Sequence, residues 1–118
     1  MEPNDLLDGH DVATSVYERV HARLAELGTF ETRTSKSQIA FRRSRGFAYL
    51  WLPGQYLKKP GADVVLSIVL GRYERSQRFK EVVHPSSRHW MHHLEVRSPD
   101  EIDVEVVEWL REAMDDAG

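Results

Sequence analysis

Between Gly28 and Ser98 the chain reads as one short strand after another, and no connection between them is patterned to hold a helix. Runs with strand character fall at residues 29–34, 38–43, 47–52, 64–70, 79–83 and 84–97. The breaks are Ser35-Lys36-Ser37, Ser44-Arg45-Gly46, a basic loop bracketed by Pro53-Gly54 and Pro60-Gly61, and a charged stretch from Gly71 to Gln77. Parallel strands need a crossover of a dozen or more residues, normally helical, so these connections restrict the sheet to antiparallel pairing. Runs 47–52 and 64–70 are apolar on both faces, which suits central strands. In the first of them Ala48, Leu50 and Leu52 alternate with Phe47, Tyr49 and Trp51. We expect the small and aliphatic set to lie under helices and the aromatic set to face the other way.

The helices stand at the two ends. In residues 11–27, Val12, Val16, Val20, Leu24 and Leu27 recur at helical spacing, Ala13 and Tyr17 widen the stripe, and Gly28 sits where a left-handed residue closes a helix. Residues 1–10 read as a flexible lead-in that breaks at Asp8-Gly9-His10. The second helix is expected over residues 99–114, with Ser98 as N-cap, Pro99 in the first turn and Glu101 at capping-box spacing. It would bury Ile102, Val106, Trp109, Leu110 and Ala113, and Asp115 and Asp116, set against the negative end of its dipole, should fray its last turn. The expected fold is α+β: an antiparallel meander of about six strands, with both helices packed on one face, forming a single domain over residues 11–118.

At 118 residues the chain can bury one core. It has no cysteine, hence no disulfide, thiol nucleophile or cysteine-held metal. The acidic start lacks the apolar run of a secretion signal, so a cytoplasmic protein without membrane attachment is expected. The net charge of −3 conceals a partition. Residues 33–97 hold 13 Lys and Arg against 4 Asp and Glu, and the flanks hold 3 against 15. A basic sheet between acidic helices can present a surface to anions, or it can simply attract its own helices.

Chemistry-bearing motifs are sparse. His89, His92 and His93 would suit zinc on a helix, but on a strand His89 and His93 lie roughly 13 Å apart and His92 faces away, so no metal is expected. No phosphate loop, nucleophile elbow or HExxH motif occurs, and nothing selects a pairing such as Glu81 with His84 or His92 for acid/base work. Residues 45–52 resemble the RNP1 element of RNA-recognition motifs, with Leu52 where that element ends in an aromatic residue. RNP1 is followed by a helix, whereas this stretch runs into a loop and another strand, so that fold is set aside. Its aromatic residues either form an open stacking face with nearby arginines or, the favoured alternative, pack under a curled sheet or a dimer partner. The candidate ligand-contacting residues are Arg43, Arg45, Tyr49, Trp51, Arg88, His89 and His92. The leading expectation is a binding module that offers a basic, aromatic-bearing sheet face to an anionic ligand, weakly to nucleic acid, or to a protein partner. A small enzyme using strand 84–97 for acid/base chemistry and a structural homodimer are the alternatives, and no cofactor is expected.

The helix ending at Gly28, followed by Ile39-Ala40-Phe41-Arg42-Arg43 and Phe47-Ala48, resembles the bacterial domain-of-unknown-function family DUF5655. So do residues 92–103, His-His-Leu-Glu-Val-Arg-Ser-Pro-Asp-Glu-Ile-Asp, and Trp109-Leu110-Arg111-Glu112-Ala113. The resemblance covers most of the chain after Val12. It implies a stand-alone copy of a small α+β module that elsewhere is attached to other bacterial domains, and it assigns no catalytic residue.

Overall fold

The computed structural model describes residues 1–118. Two α-helices, α1 (Pro3–Leu7) and α2 (Asp11–Leu27), precede strands β1 (Glu31–Thr34), β2 (Ile39–Arg42), β3 (Gly46–Trp51), β4 (Val64–Leu70), β5 (Glu81–Ser86) and β6 (His89–Val96), and helix α3 (Val104–Asp116) closes the chain. Short 3₁₀ turns at Pro53–Gln55 and Pro99–Glu101 follow β3 and β6. All strand pairs are antiparallel, in the order β1-β2-β3-β4-β6-β5. This is the expected α+β meander, with β6 between β4 and the outer strand β5. No helix is long and apolar enough to cross a membrane.

Alternation decides which side chains meet the helices. Phe41, Ala48, Ile68 and His92 are cross-strand partners in one row, and Ile39, Leu50, Leu66 and Leu94 form the next. Both rows are buried with Val16, Val20 and Leu24 of α2 and Val106, Leu110 and Ala113 of α3. β4, VVLSIVL, is buried along its whole length, as its doubly apolar pattern requires.

The structure departs from the sequence reading at several points, each with a local cause. Residues 1–10, read as a flexible lead-in, contain α1, and its Leu6 and Leu7 join the core; Gly9, at φ 81°, makes the turn into α2. Gly28 is extended (φ 164°) rather than left-handed. Its missing side chain leaves room for the end of Arg43, whose Nη2 would lie 2.6 Å from a Cβ there. Phe47 does not join Tyr49 and Trp51. Phe41 pairs Ala48 while Arg42 pairs Gly46, so Phe47 is the extra residue of a bulge, and it is buried in the core. The histidine-bearing run 84–97 is two strands. Ser86 pairs His89 across a tight turn, leaving His84 on β5, stacked on Trp90 of β6 at 4.1 Å between centroids. The strand expected at residues 79–83 accordingly begins at Glu81.

The second helix begins later than the capping-box signal suggests. Ser98 Oγ accepts from the Asp100 N–H (3.2 Å) but caps only the 3₁₀ turn, and Glu101 Oε1 accepts from the Arg97 N–H (3.1 Å) rather than that of Ser98. Ile102, 2 % exposed, breaks the turn to bury its side chain. Asp103 then caps α3, its Oδ1 accepting from the Val106 N–H at 3.1 Å.

Candidate functional site

The sheet face away from the helices is organised by one transverse row. Successive register partners are Arg33 on β1, Ala40 on β2, Tyr49 on β3, Ser67 on β4, His93 on β6 and Glu81 on β5. Cross-strand partners share a face, so all six side chains project to this side. The row carries a cation at one edge, a carboxylate at the other and hydrogen-bonding groups in the middle.

A cleft of about 330 Å³ opens over that middle, lined by Ser37, Gln38, Tyr49, Trp51, Tyr56, Ser67, Met91 and His93. Tyr49 lies across Gly46, where any Cβ would collide with the Tyr49 hydroxyl, so glycine here lets the ring rest on the sheet. Trp51 meets Tyr56 edge to face at 6.0 Å and His93 at 5.9 Å between centroids. Tyr56 comes from the loop after β3, and that loop is tied to the β1–β2 turn by the Gln55 Nε2–H donating to the Lys36 carbonyl at 3.3 Å.

The floor is a hydrogen-bonded chain. Trp51 Nε1–H donates to Ser67 Oγ at 2.8 Å, and Ser67 Oγ lies 2.6 Å from His93 Nδ1. An indole N–H can only donate, so Ser67 accepts from Trp51. Ser67 is 1 % exposed, and its own proton needs a buried acceptor. Nδ1 of His93 supplies it. The chain therefore runs Trp51→Ser67→His93, leaving His93 neutral with its proton on Nε2. Burial pushes the His93 imidazole below its ordinary value of 6.5, and the Glu81 charge offsets part of that.

The residues expected from sequence to share one ligand are dispersed. Tyr49 and Trp51 wall the cleft, half-buried. His92 is on the opposite face, 0 % exposed: its Nδ1–H donates to the Trp90 carbonyl (3.0 Å) and its Nε2 accepts from the Glu74 N–H (3.0 Å). Arg43 and Arg45 serve the C-terminal end of α3. Arg43 donates to the carbonyls of Thr29 (2.9 Å) and Met114 (3.5 Å), and Arg45 to the carbonyl (2.9 Å) and carboxylate (2.7 Å) of Asp116. Cations there offset the helix dipole and hold the turn that was expected to fray. Arg88 lies in the β5–β6 turn and His89 opens β6, both beside Arg45 and Trp90, with His89 Nδ1 3.0 Å from Ser86 Oγ. Ser67, His93 and Tyr56 are the cleft residues that sequence reasoning missed. The lone hydroxyl inside VVLSIVL was the available signal for the first.

Three arginines of the basic middle pair with carboxylates of the acidic C-terminal flank. Arg72 pairs Glu112 and Glu74, Arg78 pairs Asp103 and Glu105, and Arg45 pairs Asp116. The bond from Arg72 is the main reason the Glu74 carboxyl sits below its ordinary value. Burial alone would raise the Asp103 carboxyl, but the bonds from Arg78 and the Val106 N–H outweigh it and lower it. Arg33, Lys36, Lys58 and Lys59 are exposed and enter no ion pair.

The family model described as Domain of unknown function (DUF5655) matches residues 4–117. The chain belongs to that family. In this DUF5655 chain the match takes in α1 from its second residue, α2, the whole sheet and α3 through Asp116. No curated protein and no solved structure matches it.

Proposed function

We propose that this chain is a small cytoplasmic binding module that seats a planar, anionic ligand in the aromatic cleft of its open sheet face. The observation that carries this reading is the convergence of Tyr49, Trp51 and Tyr56 over a polar floor whose internal hydrogen bonds are already made. A volume of about 330 Å³ is at the small end of ligand pockets, and half of the lining is apolar or aromatic, with Ser37, Gln38, Ser67 and His93 as the polar groups. The charge of such a ligand is met outside the cleft. Arg33 lies two strands from Tyr49 in the same row, roughly 10 Å away, and Lys36 adjoins Ser37 of the lining.

The 2.6 Å Ser67–His93 contact supports a second reading, a small enzyme with a histidine base. Ser67 is 1 % exposed and already accepts from Trp51, which favours orientation of His93 over attack on a substrate. Burial of Ala40, Val65 and Val69 on the same face leaves little flat apolar surface for a two-fold mate.

Addition of phenyl phosphate, observed by NMR, tests the proposal. Shifts should concentrate at the Trp51 indole N–H and the Tyr49 and Tyr56 rings, and Trp51→Leu should abolish them. Shifts confined to the β5–β6 turn or to α3 would move the site elsewhere and refute this reading.

A further inference from the structure

We infer that the ligand's ring is a nucleobase, carried by a nucleotide or by an unpaired strand, and that His93 Nε2–H donates to an acceptor on the ring edge. This rests on the cleft being the ligand seat.

The Trp51→Ser67→His93 chain fixes one tautomer, and the donor it leaves, Nε2–H, has no partner within the protein. Across the lining stands Gln38, whose amide offers both a donor and an acceptor. A hydrocarbon ring would satisfy neither group, and displacing water from them without replacement is unfavourable. A heteroaromatic ring with acceptors and donors on its edge satisfies both. The walls supply π faces at Tyr49, Trp51 and Tyr56, which stack on any base. No charged side chain lines the cleft, so the part of the ligand that enters is uncharged. A phosphate would remain outside, toward Arg33 and Lys36. Nucleobases combine these properties: a neutral stacking ring, a hydrogen-bonding edge and a phosphate held away from the ring by a sugar.

Ser67 acts through His93 and is a positioning residue. Ser67 is 1 % exposed, and its effect is to keep Nδ1 unprotonated.

Calorimetric titration of the full chain with uridine monophosphate, phenyl phosphate and ribose 5-phosphate tests the inference. The nucleotide should bind about ten-fold more tightly than phenyl phosphate, the effect of one added hydrogen bond, and ribose 5-phosphate should bind weakest. His93→Phe should abolish the preference, so that nucleotide and phenyl phosphate bind that variant equally, and His93→Gln, which keeps a donor, should retain part of the preference. In unmodified protein, imidazole ¹⁵N shifts should report the proton on Nε2. A proton on Nδ1, equal binding of nucleotide and phenyl phosphate, or a preference that survives His93→Phe each overturns the role of His93 while leaving the cleft as a ligand seat. If none of the three probes binds, the cleft reading itself falls. A tetranucleotide that binds more tightly than the mononucleotide, with a steeper salt dependence, assigns the base to a strand, and equal binding assigns it to a free nucleotide.

Discussion

Two consecutive histidines acquire opposite surroundings here because a strand turns neighbouring side chains to opposite faces. His92 enters the core as the Nδ1–H tautomer, packs on Phe79 at 4.8 Å, and holds the Glu74 amide to the sheet. His93 enters the cleft as the Nε2–H tautomer. Burial lowers both below 6.5. The sign of the consequence follows from proton counting. As pH falls below about 6.5 the unfolded chain takes up protons on both rings that the folded chain refuses, so stability is full above that value and declines beneath it. The urea midpoint should therefore drop between pH 7.5 and 5.5. His92→Gln, less stable throughout, should show a shallower drop, and an unchanged pH dependence in that variant would remove His92 as a cause. Alternation over residues 90–96 is enough to separate the two histidines from sequence. The role of His93 is not legible there, because it depends on Ser67, 26 residues away, and on Trp51 beyond it.

At the scale of elements, α3 shows how a strong local signal yields to packing. Ser98-Pro99-Asp100-Glu101 has the spacing of a capping box, and five residues later Asp103-Val104-Glu105-Val106 offers a second start. Burying Ile102 requires the chain to turn between them, so the first signal closes a 3₁₀ turn and the second starts the helix. Asp103→Ala should cost about 1–2 kcal/mol, since it removes the cap on Val106 and a partner of Arg78. Ser98→Ala should cost roughly 0.5 kcal/mol or less, because its acceptor serves one exposed amide. Denaturant midpoints decide it, and the reverse ranking would restore the helix start at Ser98. The sheet was easier to read than the helix start. Its connections forbid crossovers whatever the side chains do, and only the Phe47 bulge and the split of run 84–97 depended on contacts that alternation does not encode.

At the scale of the molecule, the charge partition has a structural outlet. The acidic flanks lie against basic connections, so Arg45, Arg72 and Arg78 hold α3 and its approach to the sheet. From composition alone, Arg43 and Arg45 are natural contacts for a polyanion. Each has a partner 71 residues away at the end of α3, a separation that no sequence window spans, and Arg43 also bonds the Thr29 carbonyl. The cations left for an anion are those without partners near the cleft, Arg33 and Lys36. The two pairs should therefore separate stability from binding. Arg43→Ala with Arg45→Ala should lower the melting temperature and speed hydrogen exchange at Ala113–Ala117, while leaving oligonucleotide affinity close to its original value. Arg33→Ala with Lys36→Ala should leave the melting temperature unchanged, weaken binding of a labelled single strand, and reduce its log–log salt slope by about 1–2, less than one unit for each phosphate contact removed. Titration at low and at near-physiological salt reads both effects. If affinity follows the first pair and stability the second, the anion site belongs at the α3 end of the molecule and not at the aromatic cleft.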